Sequence, residues 1–457
     1  MKKLFYFLAF LFPVALCAQQ NWYKSSSMDS IWKNVGNAGF SSGGADVTSL
    51  ALNPTDGRPY VAFMDYGHSG KATVMKFDGT SWVYVGSAGF SIGMISSTSL
   101  VFSPSGEPYV AYSDHGNLYK ATLMKFNGTN WVNVGTEGFS AGEVDYTSLA
   151  FSLSGEPYVA YMDLANSFKA TVMKFDGTNW VAIGTEGFSA YEGWYTSLAF
   201  SPSGEPYVAF GNIEKATVMK FDGTNWVNVG TEGFSAGGAP FTSLAFSPSG
   251  EPYVAYADWA DSGKATVMKF DGANWVNVGS TCFSAGTTYS ESLKFSPSGE
   301  PCVAYSDSIN SRKATVMRFG GTNWAPVGKV GFSTRAADWT SLALSPTGQP
   351  YVAYVDEANS FNATVMKYDS ILTGISEPQQ LQTSLYPNPA RDKITIETSG
   401  MPKEITLEIV NIEGQQLITR QISQPKTQID ISTLPSGVYF VRVINNRTVQ
   451  VGKFVKQ

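Results

Sequence analysis

The chain has 457 residues, of which 43% are apolar; it is too long for one ordinary domain, so at least two structural units are expected. Its formal net charge is −6 and it has no run of basic residues, which argues against nucleic acid as a partner. Frequent glycine and aromatic residues and regular turn signals favour β-structure over helix.

Residues 1–18 have the pattern of a secretory signal peptide. Lys2 and Lys3 precede an apolar run that ends in small residues before Gln19. A membrane anchor is the alternative, but the run is short for a membrane span and no later segment approaches that length. We therefore expect export through the periplasm, with no transmembrane segment after cleavage.

Residues 19–371 consist of a repeat whose unit reads TSLAFSPSGEPYVAY, an Asp loop, and KATVMKFDGTNWVNVG. Each unit contains four short β-rich runs, separated by Ser-Gly or Asp-Gly turns and by longer loops. Four antiparallel strands in a unit of this length are typical of a β-propeller, and a β-solenoid is the alternative. The sequence predicts an all-β fold, a seven-bladed β-propeller with four strands per blade.

The last repeat ends at Ile371 without its tryptophan strand, and the N-terminal segment IWKNVG is a tryptophan strand that no repeat precedes. We predict that residues 32–36 supply the outer strand of the last blade and pair with residues 363–368. This arrangement leaves no unpaired strand at either end of the repeats.

An aspartate ends the second strand of six units, and a lysine opens the next strand in five of them. The predicted role of the aspartate is to cap the loop, with the lysine opposite it across the hairpin. A ring of calcium ligands is the alternative, but one carboxylate per blade supplies too few oxygens. We expect neither a metal nor a cofactor.

The Asp loops and the Gly-rich segments fall on one face of the predicted ring, and there the repeats differ from one another. This face is rich in aromatic residues, which suit stacking on sugar rings or on protein side chains. Burial against neighbouring blades is the alternative role for them. The candidate ligand-binding residues are Tyr146, Trp194, Tyr195, Phe241, Trp259, Tyr289 and Trp339.

Cys282 and Cys302 both depart from the repeat at one junction between units, which suggests a disulfide in an exported protein. The predicted strand order places them toward opposite ends of the blade, so two free thiols are the alternative. The sequence gives little support for catalysis. The chain has only two histidines, and the arginines of its repeats are too scattered to suggest a site that binds a substrate carboxylate. A glycoside hydrolase that uses Glu143, Asp145 or Glu192 remains the alternative.

After a linker at residues 372–384, the composition changes, and residues 385–457 predict a small antiparallel β-sandwich. The segments YPNPA, NIEGQQL, LPSGVYFVRV and GKFVK resemble the C-terminal sorting domain of proteins exported by the type IX secretion system. A generic adhesive sandwich is the alternative. The resemblance implies a role in sorting for Tyr386, Pro387, Asn388, Pro389, Gly414, Gly437 and Tyr439.

The resemblance also implies that residues 385–457 engage the type IX secretion machinery and that the protein is secreted or attached to the outer-membrane surface. The sequence thus favours an exported, non-enzymatic propeller that binds glycans or a surface partner. The alternatives are a structural or adhesin spacer without a small ligand and a glycoside hydrolase.

Overall fold

The computed structural model describes residues 31–369, 383–398, 405–411, 415–422, 424, 426–445 and 448–457. These residues form two compact units, one within Asp29–Ile371 and one within Leu372–Gln457. The predicted signal peptide and nearly all of the predicted linker lie outside the described residues. Among the described residues, no helix has the length and apolar character needed to cross a membrane.

The compact unit within Asp29–Ile371 contains all the repeats, and we call it the repeat unit. It folds into short strands that end at the predicted turns. Strand β1 spans Ile31–Asn34. The first three sheets contain β2–β5 (Ala45–Leu52, Pro59–Asp65, Lys71–Phe77, Trp82–Tyr84), β6–β9 (Ile95–Phe102, Pro108–Asp114, Lys120–Phe126, Trp131–Asn133) and β10–β13 (Val144–Phe151, Pro157–Asp163, Lys169–Phe175, Trp180–Ala182). The next three contain β14–β17 (Trp194–Phe200, Pro206–Gly211, Ala216–Phe221, Trp226–Asn228), β18–β21 (Ser243–Phe246, Pro252–Asp258, Lys264–Phe270, Trp275–Asn277) and β22–β25 (Thr288–Phe295, Pro301–Asp307, Lys313–Phe319, Trp324–Pro326). Strands β26–β28 (Ala337–Leu344, Pro350–Asp356, Asn362–Asp369) complete the unit.

Each sheet is antiparallel, and in the first six sheets the strands pair in chain order, from the inner SLAF-type strand to the outer tryptophan strand. The second strand of each sheet is buried on both faces; in the third sheet every residue of Pro157–Asp163 is buried. Val159 joins a core cluster with residues of the second sheet, whereas Tyr158 joins one with residues of the fourth. The repeats are therefore a propeller-like series of sheets that bury both faces against their neighbours.

The seventh sheet contains strands from both ends of the repeat unit, in the order β1-β28-β27-β26. Trp32 pairs with Tyr368 and Asn34 pairs with Met366, and the amide of Val35 continues the ladder to the carbonyl of Val365. The predicted pairing of the N-terminal strand with the last repeat is therefore confirmed, although the strand itself ends at Asn34.

Hydrogen bonds of two kinds join neighbouring sheets. A leucine amide of each inner strand donates to a serine hydroxyl of the preceding inner strand; the pairs are Leu50–Ser341, Leu100–Ser49, Leu149–Ser99, Leu198–Ser148, Leu244–Ser197, Leu293–Ser243 and Leu342–Ser292. Each outer-strand tryptophan donates its indole N–H to a backbone carbonyl of the preceding sheet; the pairs are Trp32–Val327, Trp82–Val35, Trp131–Val85, Trp180–Val134, Trp226–Ile183, Trp275–Val229 and Trp324–Val278.

Five of the six aspartates that end second strands cap short 3-10 helices, and capping is the role predicted for them. The helices span Tyr66–His68, His115–Asn117, Leu164–Asn166, Trp259–Asp261 and Glu357–Asn359. Asp163 is fully buried, and its carboxylate accepts from the amide of Ala165, the side-chain amide of Asn166 and the hydroxyl of Thr171. The lysines lie opposite these aspartates across the hairpin, as Asp163 and Lys169 do.

The prediction of a disulfide between Cys282 and Cys302 is wrong, because both cysteines are free. Cys302 is buried next to Pro301, at the SPSGEP end of the sixth sheet, and pairs with Lys294 and Arg318 across the strands. Cys282 contacts Thr266 of the fifth sheet, near the Asp-loop end. Cys302 therefore lies at the SPSGEP end of the sixth sheet, whereas Cys282 lies in a loop near the Asp-loop end of the fifth, and a disulfide would require the two thiols to meet.

The C-terminal unit has seven strands in two antiparallel sheets. They are β29–β35 (Thr383–Tyr386, Lys393–Thr398, Ile405–Val410, Gln416–Ile422, Lys426–Asp430, Gly437–Asn445, Thr448–Lys456). One sheet has the order β29-β30-β33 and the other β32-β31-β34-β35. Both contribute to one buried cluster, which includes Ile394, Ile429, Leu407 and Phe454.

The motif residues of this unit anchor its ends to one another. The side chain of Asn388 donates to the carbonyl of Lys453 and accepts from the amide of Val455, and the hydroxyl of Tyr439 donates to the carbonyl of Pro435. Tyr386 donates its hydroxyl to Glu397, and Gly437 begins strand β34. Pro387 and Pro389 follow β29 on the surface, whereas Gly414 lies outside the described residues.

Candidate functional site

A backbone irregularity recurs near the start of the inner strands. The strand register shifts there in six of the seven sheets, as it does between Asp145 and Ser148, which marks a β-bulge. In all seven repeats the residue before the TSL-type segment has a positive φ; these residues are Val47, Ser97, Tyr146, Tyr195, Phe241, Ser290 and Trp339. Such a backbone costs L-residues about 1–2 kcal/mol each, and bulges redirect side chains, often beside functional sites.

The redirected side chains line a cavity of about 240 Å³, which we call the central cavity. Its walls consist of these seven residues, the threonine or glutamate that follows each of them, and three of the serines after that, Ser49, Ser292 and Ser341. Four of the seven predicted ligand-binding residues lie here, namely Tyr146, Tyr195, Phe241 and Trp339. The sheets thus bring together aromatic residues that are far apart in the sequence.

Three of the four aromatic side chains form a continuous series. The ring centroids of Tyr146 and Tyr195 are 4.5 Å apart, and those of Tyr195 and Phe241 are 4.7 Å apart, with tilted planes. Burial raises the pKa of the phenol of Tyr195, and for Tyr146 burial and the neighbouring Tyr195 raise it further. Both phenols therefore stay neutral at physiological pH and present hydroxyl groups beside apolar ring faces.

The other predicted site residues lie outside the central cavity lining. Tyr289 and Trp194 precede the bulge residues by one position, and the indole nitrogen of Trp194 is buried without a hydrogen-bond partner among the described residues. Tyr289 packs under Arg312, which also pairs with Asp338 at 2.5 Å. Trp259 begins a 3-10 helix and is 52% exposed.

Glu291 lines the central cavity and was not among the predicted site residues. One carboxylate oxygen accepts a hydrogen bond from the hydroxyl of Thr288, whereas Oε2 is buried without a partner among the described residues. Burial raises the pKa of Glu291 to about 8, so this carboxyl group is mainly protonated at pH 7. A signal for it exists in the sequence, because the other six repeats all have threonine at this position.

Lys294, three residues further along the same strand, is a second departure from the repeat, since the other six units have alanine or valine there. It lies between Ser292, which lines the central cavity, and Phe295, which lines a second cavity at the SPSGEP end. Its side chain reaches solvent, yet the surrounding protein displaces enough water to lower its pKa. No hydrogen bond or ion pair joins the side chain of Lys294 to another described residue.

The three acidic residues of the hydrolase alternative do not line the central cavity. Glu143 and Glu192 are exposed, whereas Asp145 is half-buried and accepts from the amide of Tyr146. Burial raises the pKa of Asp145, with a further contribution from the charge of Glu143. Among the described residues, no group of three or more His, Cys, Asp or Glu side chains could hold a metal ion.

Residues 384–457 match the family described as the secretion system C-terminal sorting domain, which confirms the resemblance noted in the sequence. No curated protein sequence matches this chain. One similar solved structure is PorZ, described as an essential bacterial surface component of the type IX secretion system of Porphyromonas gingivalis. It is 14% identical with a TM-score of 0.46, over 90% of this chain and 60% of PorZ.

A PL25 polysaccharide lyase, an ulvan lyase, is 11% identical with a TM-score of 0.50, over 73% of this chain and 95% of the lyase. An α-L-arabinanase of Penicillium chrysogenum is 14% identical with a TM-score of 0.44, over 75% of this chain and 97% of the arabinanase. At these identities the likeness to the lyase concerns the fold alone.

Proposed function

We propose that this protein is an exported glycan-binding module. Its repeat unit would be a closed seven-bladed β-propeller, its central cavity the binding site, and its C-terminal unit a sandwich that directs type IX secretion. The residues that bind glycan would be Tyr146, Tyr195, Phe241 and Trp339.

Contacts between the first and seventh sheets support the closed ring. The hydroxyl of Ser341 accepts from the amide of Leu50 at 3.0 Å, and the hydroxyl of Thr48 donates to the carbonyl of Trp339 at 2.5 Å. Sheets adjacent in the sequence are joined by the same two kinds of bond, as in Leu198–Ser148 and in Thr242–Tyr195. The first sheet therefore meets the seventh as it meets the second.

The sorting-domain match over residues 384–457 supports export by the type IX machinery. Under this proposal the signal peptide at residues 1–18 takes the chain to the periplasm, and the sorting unit then takes it across the outer membrane. The product is secreted or attached to the cell surface. Deletion of residues 384–457 should leave the repeat unit in the periplasm, and its appearance outside the cell would contradict this route.

The observation that carries the binding proposal is that strained backbone positions hold aromatic side chains around one cavity. A β-bulge at Tyr146, Tyr195 or Trp339 weakens the sheet locally, and such strain is often kept where it positions functional groups. Flat ring faces beside phenol hydroxyls suit the apolar face and the hydroxyl edge of a sugar ring. The volume of about 240 Å³ favours one sugar residue at a chain end over a long polysaccharide segment.

A glycan array with the purified secreted protein tests the proposal. Tyr195→Ala and Phe241→Ala should weaken binding at least tenfold, about 1.4 kcal/mol, because each removes a ring face from the cavity. Trp259→Ala is the matched control, since it removes an exposed aromatic side chain outside the cavity and should leave binding unchanged. Failure of the parent protein to bind any glycan would overturn the proposal.

A surface protein is the second candidate ligand, and exposed aromatic residues around the Asp loops favour it. Tyr66, Phe168, Trp259 and Phe361 are between 44% and 54% exposed. Aromatic side chains of this kind are enriched in protein interfaces. This candidate predicts the reverse result, in which Phe168→Ala and Trp259→Ala reduce attachment to cells while Tyr195→Ala does not.

We also propose that the protein is not an enzyme. Glu291 is the only acidic residue that lines the central cavity among the described residues, so the cavity lacks the carboxyl pair that glycoside hydrolysis uses. Incubation with any glycan that binds should therefore release no new reducing ends. Release that is lost in Glu143→Gln or Asp145→Asn would favour the hydrolase alternative instead.

A further inference from the structure

In most other repeats, the threonine equivalent to Glu291 makes a hydrogen bond between neighbouring sheets. Threonine hydroxyls at this position donate to the carbonyl of the bulge residue in the preceding sheet; the pairs are Thr48–Trp339, Thr98–Val47, Thr196–Tyr146, Thr242–Tyr195 and Thr340–Ser290. In the sixth sheet the side chain of Glu291 instead accepts a hydrogen bond from the hydroxyl of Thr288 in its own strand. The substitution thus gives up a bond between sheets, and the packing of the sheets does not explain it.

The carboxyl group of Glu291 is also incompletely bonded. The residue is only 7% exposed and lines the central cavity, and its Oε2 is buried without a hydrogen-bond partner among the described residues. A buried polar group without a partner is costly to the fold, and its cost falls when a ligand supplies the missing bond. This atom therefore points to a ligand with a hydrogen-bond donor.

The charges around the central cavity favour a cationic donor. Glu291 is the only carboxylic acid in the cavity lining among the described residues, and no lysine, arginine or histidine lines the cavity there. Outside the lining, Asp46, Asp145 and Asp338 precede the bulge residues of three other inner strands, and Arg312 is paired with Asp338. Negative charge on Glu291 helps to raise the pKa values of two nearby phenols, those of Tyr195 and Tyr305.

Aromatic ring faces and one carboxyl group form the chemical environment in which proteins bind ammonium groups. The ring quadrupole attracts a cation at the ring face, and a carboxylate accepts its N–H bonds. We propose, resting on the glycan-binding function above, that the central cavity selects an amino sugar with a free ammonium group. The ammonium group contacts the ring faces of Tyr195, Phe241 and Trp339 and donates a hydrogen bond to the carboxylate of Glu291.

Binding then carries a proton signature. Before binding, the Glu291 carboxyl is protonated at pH 6.5, because its pKa is about 8. The ammonium group stabilises the carboxylate, so the complex loses this proton to the buffer. A neutral sugar leaves the carboxyl protonated, and no proton is released. Lys294 and Thr288, on the same strand, neither gain nor lose a proton in either case.

Isothermal titration calorimetry of the full secreted protein at pH 6.5 tests this inference, with a glucosamine oligosaccharide and its fully N-acetylated counterpart as matched ligands. The glucosamine form should bind at least tenfold more tightly. Runs in two buffers of different ionisation enthalpy should show close to one proton released per site. Glu291→Thr, which restores the residue of the other repeats, should weaken binding of the glucosamine form at least tenfold and abolish proton release.

Two further variants keep the result interpretable. Glu291→Gln keeps the shape and removes the charge, so it should behave like Glu291→Thr, whereas Glu143→Gln removes an exposed carboxylate and should change neither affinity nor proton release. Equal affinity for the two oligosaccharides, or full affinity in Glu291→Thr, overturns the inference. If Tyr195→Ala still weakens binding of neutral glycans at least tenfold in that case, the glycan-binding function stands and only the ammonium selectivity fails.

Discussion

The indole N–H of Trp32 donates to the backbone carbonyl of Val327 at 2.8 Å, although 295 positions separate the two residues. The same indole ring stacks on Phe332, with ring centroids 3.8 Å apart. Each of the other six outer-strand tryptophans makes the equivalent bond to the sheet before it, as Trp180 does to Val134. The N-terminal strand therefore packs against the sixth sheet as though it followed β28 directly.

We expect Trp32→Ala to lower the free energy of unfolding of the repeat unit by about 3–5 kcal/mol, the usual loss for a buried tryptophan. Only 9% of Trp32 is exposed, so the change removes both the buried ring and the bond to Val327. Urea unfolding followed by circular dichroism measures the loss. Trp259→Ala, at an exposed site, should change stability by less than about 0.5 kcal/mol. Equal effects of the two variants would contradict this packing.

Ser341→Ala tests whether the first and seventh sheets are joined as neighbours. It removes the acceptor of the Leu50 amide and should cost about 1–2 kcal/mol, since the amide is left without a partner. Ser148→Ala, which removes the acceptor of Leu198 between sheets adjacent in the sequence, is the matched control. The two losses should agree within experimental error in urea unfolding. A loss in Ser148→Ala alone would indicate an open ring.

The capping aspartates should contribute strongly to stability. Asp163→Ala leaves the amide of Ala165 and the hydroxyl of Thr171 without their acceptor in a fully buried place, which should cost roughly 2–3 kcal/mol. Asp163→Asn should cost less, because in the fourth repeat Asn212 accepts from two loop amides with its side-chain oxygen. Thermal unfolding of both variants distinguishes these outcomes, and an equal loss would exclude the amide as a cap.

The ionisation of Glu291 should make stability depend on pH. Its folded-state pKa of about 8 exceeds the ordinary value of 4.5, so between these values the folded state holds more protons than the unfolded state. The free energy of unfolding should therefore fall as pH rises from about 4.5 to 8, by a few kcal/mol in order of magnitude, and should level off above that. Glu291→Thr should remove this slope in urea unfolding at several pH values. A slope unchanged in the variant would assign it to other groups.

The two thiols should react at different rates with an alkylating reagent. Cys302 is fully buried, so it should be labelled only after unfolding, whereas Cys282 is half-buried and should be labelled in the native protein. Burial raises the pKa of Cys282, and its labelling should accelerate as pH rises toward 9 because the thiolate is the reactive form. Mass spectrometry without reductant should find both thiols free; a mass two protons lower would indicate a disulfide.

The strand order and the capping aspartates could be predicted from the sequence because they depend on a local pattern that recurs along the chain, the strands in seven units and the aspartate in six. The pairing of Trp32 with Tyr368 also followed, since one repeat lacked the strand that the N-terminus carried. These predictions rest on spacing and turn chemistry, which a single sequence displays directly.

The candidate site was predicted only in part, because a β-bulge changes which side chain faces the cavity. An alternating pattern does not show where an extra residue enters a strand, so Trp194 and Tyr289 were grouped with Tyr195 although each precedes the bulge position. Glu291 was missed since its isolation depends on the burial of its carboxyl group. Whether Cys282 and Cys302 form a disulfide depends on the distance between them, which the sequence does not give.

The position of β1 imposes an order in time on the assembly of the repeat unit. The amide of Gly39 bonds to the hydroxyl of Thr364, so this contact closes a loop of 325 residues. Closure of so long a loop is entropically unfavourable until the intervening sheets have shortened the distance. We therefore expect the seventh sheet to form last, after synthesis has reached Asp369. Until then strand β1, which is synthesised first, has no strand to pair with. A chain that ends before Val327 also lacks the carbonyl that accepts the indole N–H of Trp32.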